Sequence, residues 1–147
     1  MSQPDDLTAD LVIERTTDLD LDVERMWELI STAEGWSSWL VDDADVIIAA
    51  DETGTATSDG VERGVHIDQV TEGRGVAFSW WDRDDPSTAS YVQIGVVELP
   101  DGRSQLRVTE RFLGATSNAT TASSQAIAWE VRFASLWLLA LHSTVLA

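Results

Sequence analysis

Two glutamates stand where the surrounding pattern turns a carboxyl group inward. Glu110 alternates with Arg107, Thr109 and Arg111 and so shares a strand face with Leu106, Val108 and Phe112. Glu130 falls on a helical wheel between Ala126, Trp137 and Leu141, inside an apolar arc. A carboxylate in such a place must be solvated, paired or protonated, because an isolated buried charge is very costly. Two inward carboxyl groups that share a proton or a water would suit general acid–base chemistry, and Glu110 and Glu130 are the catalytic candidates if the chain is an enzyme. The same groups could instead anchor a ligand. The plain alternatives are that Glu130 reaches water or an Arg, and that Glu110 sits at the wet end of its strand.

Large rings surround these positions. Trp80, Trp129, Phe133 and Trp137 supply candidate walls, with Trp36 and Trp39 closing one end and Ile67, Phe78 and Val108 on the inward strand faces. Any one of them can be ordinary core. Collectively they favour a pocket, since flat rings around a bent sheet seldom pack to zero volume. His66 and His142 are the two imidazoles, and nothing in the spacing brings them together. His66 lies opposite Val65 and Ile67 and reads as a solvated side chain. With no cysteine, neither disulfides nor thiolate metal sites are available, and no metal or cofactor is expected. There is no nucleophile triad order, glycine-rich phosphate loop or H-E-x-x-H helix.

The elements that must position these residues follow from the periodicity. Residues 1–10 read as a polar, disordered lead-in, and residues 11–147 as one domain. Leu11 to Thr17 reads as a first strand. Asp22 caps a helix in which Val23, Met26, Trp27 and Ile30 recur at helical spacing. Glu34-Gly35 is expected to break it before a second helix, Trp36 to Val41. Strands are then expected over Asp45 to Ala49, within the hairpin Asp51 to Asp59, over Val61 to Val70, around Val76 to Trp81, over Tyr91 to Leu99 and over Leu106 to Phe112. A charged turn, Asp82 to Thr88, and Pro100-Asp101-Gly102 punctuate them. The last element, Thr121 to His142, suits one helix about 30 Å long. Its polar side is expected to hold Ser124, Gln125, Arg132, Ser135 and His142. Its apolar arc is wider than a surface helix needs.

The chain of 147 residues is long enough to bury roughly 70% of its unfolded surface without staples. Its 26 acidic and 9 basic residues, all of the latter Arg, give a formal charge of −17. Such a surface repels phosphate backbones and anionic headgroups, so no nucleic-acid or membrane partner is expected. The polar, acidic first residues and an apolar run of only Phe133 to Leu141 point to a cytoplasmic protein.

The order strand, two helices, six strands, long helix describes an α+β fold in which a curved antiparallel sheet wraps a C-terminal helix. Here the sequence resembles the START-like (SRPBCC, helix-grip) superfamily, in the branch of the C-terminal domain of the activator of the heat-shock-protein ATPase. The resemblance rests on Ile13-Glu14-Arg15, on Asp22 to Thr32 with its Trp27, on Ala33-Glu34-Gly35 followed by Trp39, on Val76 to Trp80, and on Val97-Glu98-Leu99, Asp101-Gly102 and Leu106 to Glu110. It covers about residues 11 to 142 and departs from the family between Thr53 and Gly64, where a Gly-Gly-x-aromatic signature is missing. It implies a cavity for a small hydrophobic or aromatic ligand. Relatives also include polyketide cyclases or aromatases, and co-chaperones that bind a protein partner. A monomer or a homodimer is expected.

Overall fold

The structure, a computed structural model, describes residues 12–113 and 119–146, with helix side chains described from 125 to 141 at the C-terminal end. The expected lead-in and the side chain of His142 lie outside that set. The elements are β1 (Val12–Leu19), α1 (Val23–Ser31), α2 (Ala33–Trp39), β2 (Asp43–Asp45), β3 (Thr53–Ser58), β4 (Val61–Thr71), β5 (Gly75–Asp82), β6 (Asp85–Glu98), β7 (Ser104–Phe112) and α3 (Ala119–Leu146). All strands join one antiparallel sheet in the order β1-β7-β6-β5-β4-β3-β2. The helix-grip order expected from the sequence is the order found.

Strand alternation sorts the side chains. Val65, Ile67, Phe78, Trp80, Val92, Ile94, Leu106, Val108 and Glu110 are all buried on the inner face. Helix α1 starts where Asp22 accepts a hydrogen bond from the Arg25 amide, and it lays Met26, Leu29 and Ile30 against the sheet. Asp59 and Gly60 both take positive φ, 50° and 78°, the geometry of a tight two-residue turn between β3 and β4.

Three boundaries differ from expectation. Gly35 does not break the helical region but sits inside α2, which begins after Thr32, whose hydroxyl accepts from the Gly35 amide at 2.9 Å. The missing Cβ serves packing instead: one added there would lie 2.4 Å from the Glu28 carbonyl and 2.7 Å from Leu29 Cα. β2 is Asp43–Asp45 rather than Asp45 to Ala49, because its register with Thr55–Thr57 ends there. The turn after β5 is shorter than read, because Asp85 already pairs with Asp82 and Pro86 lies within the exposed start of β6.

The largest difference is in α3. Its inward side chains are Trp129, Arg132, Phe133, Leu136 and Ala140, while Ile127, Val131, Ala134, Leu138 and Leu141 face outward. The wide apolar arc of the sequence is therefore two stripes on opposite sides. Between them, a flank of α3 meets the edge strand. Glu130 is exposed and pairs with Arg15 at 3.3 Å. The Trp137 indole donates to the Thr17 hydroxyl at 3.0 Å.

Replacing Gly35 with Ala pushes a methyl group into α1 backbone that cannot yield cheaply, so we expect Gly35→Ala to lower stability by about 2 kcal/mol. Gly95→Ala, whose added carbon meets only the Arg74 carbonyl at 3.6 Å, should be near neutral. Urea unfolding of the two variants checks the contrast, and equal midpoints would refute it.

Candidate functional site

Glu110 lies on the inner face near the end of β7, opposite Ile13 of the edge strand β1 and Val92 of β6. It is almost fully buried. Three donors converge on it. The Trp80 indole and the Ser90 hydroxyl donate to Oε2 at 3.0 and 2.5 Å, and the Trp129 indole donates to Oε1 at 2.8 Å. Trp80 comes from β5, Ser90 from β6 and Trp129 from α3. Trp80 and Ser90 are register partners, so the sheet pairing itself aims both at one carboxyl group. Both oxygens are engaged.

Arg132, one helical turn after Trp129, supplies the nearby positive charge. Its guanidinium carbon lies 4.6 Å from the Trp129 ring centroid and 5.3 Å from that of Trp80. Its Nε donates to the Leu40 carbonyl at 2.9 Å, which closes the end of α2. Nη1 has no hydrogen-bond partner. Burial pushes its pKa down to about 10, with Glu110 opposing the shift, so the group stays cationic at neutral pH. A buried guanidinium with an unfilled N–H is costly to leave as it stands.

Arg132 also lines a groove of about 520 Å³. One wall is the end of α2 and the residues after it, Ser37 to Asp42. A second is the β3–β4 turn at Ser58 and Asp59, and the third is α3 at Ile127, Ala128, Val131 and Ser135. Apolar surface from Trp39, Leu40, Val41, Ile127 and Val131 mixes with four serines and with the carboxylates of Asp42 and Asp59. The volume falls in the range of small-molecule sites. It opens where α2 meets α3.

The structure brings Trp36, Ile67, Phe78, Trp80, Val108, Trp129 and Phe133 into one buried cluster, to which Glu110 is tied by its bonds from Trp80 and Trp129, with Trp36 and Phe78 ring centroids 4.6 Å apart and Phe78 and Trp80 5.2 Å apart. Trp39 joins this cluster and also lines the groove. The Trp36 and Trp39 indoles donate to the carbonyls of Ile30 and Leu29 at 2.9 Å each, satisfying the last turn of α1. Two candidates are not where the sequence put them. Glu130 and Trp137 lie on the flank beside β1, outside the cluster, because the helix is rotated so that Trp129 faces in. His66 is part-exposed and 3.9 Å from Asp51. Among the described residues no three metal-binding side chains gather. Arg132, expected on the polar side, is buried. Its spacing of three from Trp129 and four to Leu136 was the signal that places it on the inward stripe.

Glu110→Gln keeps size but offers one acceptor oxygen to donors that use two, and removes the charge facing Arg132. We expect a loss of about 3 kcal/mol. Glu130→Gln removes only an exposed ion pair and should cost less than about 0.5 kcal/mol. Denaturant midpoints of both variants read this directly, and a tolerant Glu110 would refute the role given to it.

No protein-family model matches the sequence, and no curated protein does. Solved structures match in shape. Protein MLL2253 from Mesorhizobium loti superposes with a TM-score of 0.77 at 16% identity, over 88% of this chain and 96% of that one. DynU16, from the dynemicin biosynthetic locus, gives 0.74 at 12% identity over 85% of this chain, which spans 45% of DynU16. An Aha1 dimer from Colwellia psychrerythraea, solved in solution, gives 0.70 at 13% identity, over 86% and 93%. Identities this low speak for architecture and not for activity. With its seven-stranded sheet gripping a C-terminal helix, the chain has the helix-grip fold.

Proposed function

We propose that the protein binds a small, flat, largely apolar molecule in the groove between α2, the β3–β4 turn and α3, and that the ligand carries an acidic oxygen received by Arg132. The observation that carries this reading is a groove of about 520 Å³ lined in part by Arg132, a cation that is largely buried and whose Nη1 lacks a hydrogen-bond partner. Trp39, Ile127 and Val131 offer the apolar contact, and Ser37, Ser38, Ser58 and Ser135 offer adaptable hydroxyls. An aromatic carboxylate or phenolate meets both demands. The guanidinium fork suits a carboxylate.

A binding role fits the geometry better than acid–base catalysis. Glu110 has both oxygens engaged by three donors, and Glu130 lies outside in an ion pair. Neither is placed to exchange a proton with a bound molecule. No helix among the described residues is long and apolar enough to cross a membrane.

Aromatic carboxylic acids of one or two rings should raise the melting temperature and quench tryptophan emission, since a native-state ligand stabilises by mass action. Their neutral amides should do so by at least tenfold weaker binding. Ser135→Trp, which fills the groove, should abolish both responses while keeping the fold by circular dichroism. Binding that survives in Ser135→Trp, or a panel of acids that shifts nothing, would remove this reading.

A further inference from the structure

The outward stripe of α3 begins at the groove, whose rim it shares at Ile127 and Val131, and runs on past it to Leu138 and Leu141. Ile127, Val131, Leu138 and Leu141 are 64%, 61%, 67% and 59% exposed, with Ala134 between them also outward. Their spacing runs four, three, four, three, the alternation of a helix-pairing seam. Exposed apolar residues scattered singly need no explanation, but a straight stripe of this length does. Between Ile127 and Leu141 the helix carries one acidic residue, Glu130, which lies on the β1 flank paired with Arg15, and its other charged residue, Arg132, points inward.

We infer that this face is the seat of a two-fold dimer, in which α3 of a second copy of this chain packs along the seam. A copy of itself is the partner for three reasons. Each copy has a formal charge of −17, so two copies can approach closely only over a face free of carboxylates. The seam is self-complementary, as a two-fold contact requires, because the same residues serve as knobs on both sides. Its area is sufficient: the stripe exposes on the order of 500 Å² per copy, so pairing buries about 1,000 Å², the floor for a specific interface. The other coverings fit worse. Residues 1–11 include Asp5, Asp6 and Asp10 and only two leucines, Leu7 and Leu11. An anionic membrane would repel the rest of the surface.

Sedimentation equilibrium of the full chain at micromolar concentration should give twice the 16.1 kDa mass of one chain. Leu138→Glu and Leu141→Glu, which do not line the groove, should each weaken the association by about 100-fold while leaving the circular dichroism and the ligand response unchanged. The absence of native cysteine allows a second reading that does not depend on charge variants. Single cysteines placed in turn at Ile127, Ala134, Leu138 and Leu141 should yield an oxidised, covalently linked dimer for at least one position nearest the two-fold axis. A cysteine at Ile47, exposed but outside α3, should yield none. A wild-type monomer at all concentrations overturns the inference and leaves the face to residues 1–11 or a foreign partner. A dimer indifferent to Leu138→Glu and Leu141→Glu, or cross-linking at Ile47 alone, overturns it equally by placing the contact elsewhere.

Discussion

A carboxyl group cut off from water sits where the sheet meets the last helix, and the surrounding structure is arranged to satisfy it. Glu110 belongs to β7, but its hydrogen bonds come from β5, β6 and α3. Leaving such a group unpaired in the interior would cost several kcal/mol, so the three donors and the nearby guanidinium are conditions of folding rather than additions to it. The bond from the Trp129 indole has a further consequence. It fixes the rotation of α3, and with that rotation Arg132 and Phe133 face in, Glu130 and Trp137 meet β1, and Ile127, Val131 and Leu138 face out. One contact thus sets which of the helix's two apolar stripes becomes core.

That contact also marks the limit of what periodicity can read. The strands of the inner face were legible because alternation is a period of two, and Val65, Ile67, Phe78, Trp80, Val108 and Glu110 all fall as the pattern places them. The capped start of α1 at Asp22 was equally plain. The last helix was not, because a wheel with apolar residues on two sides has no unique inward direction. Merging the stripes put Glu130 and Trp137 in the interior and Arg132 outside. The rotation was settled by which indole could reach a carboxyl group on another element, a fact of three dimensions. Gly35 misled for a different reason: glycine in a helix weakens it unless close approach demands it, and the crossing of α1 over α2 could not be seen in the sequence.

The buried polar cluster separates structure from opportunity. Glu110 has its hydrogen bonds filled, whereas Arg132 is cationic, buried and one partner short beside open volume. Burial lowers the arginine's pKa only to about 10, so no neutral form relieves the deficit near neutral pH. A ligand oxygen would relieve it. The shared fold supplies a sheet and a helix to many proteins, and among the described residues of this one a groove opens at the junction of α2 and α3.

The most direct measurement is a crystal structure of the protein grown with an aromatic carboxylate. The account predicts the ring between Trp39 and Val131 and a carboxylate oxygen within about 3 Å of the Arg132 guanidinium, with the Glu110 hydrogen bonds unchanged. A groove left vacant at saturating ligand, or a ligand seated away from Arg132, would contradict it.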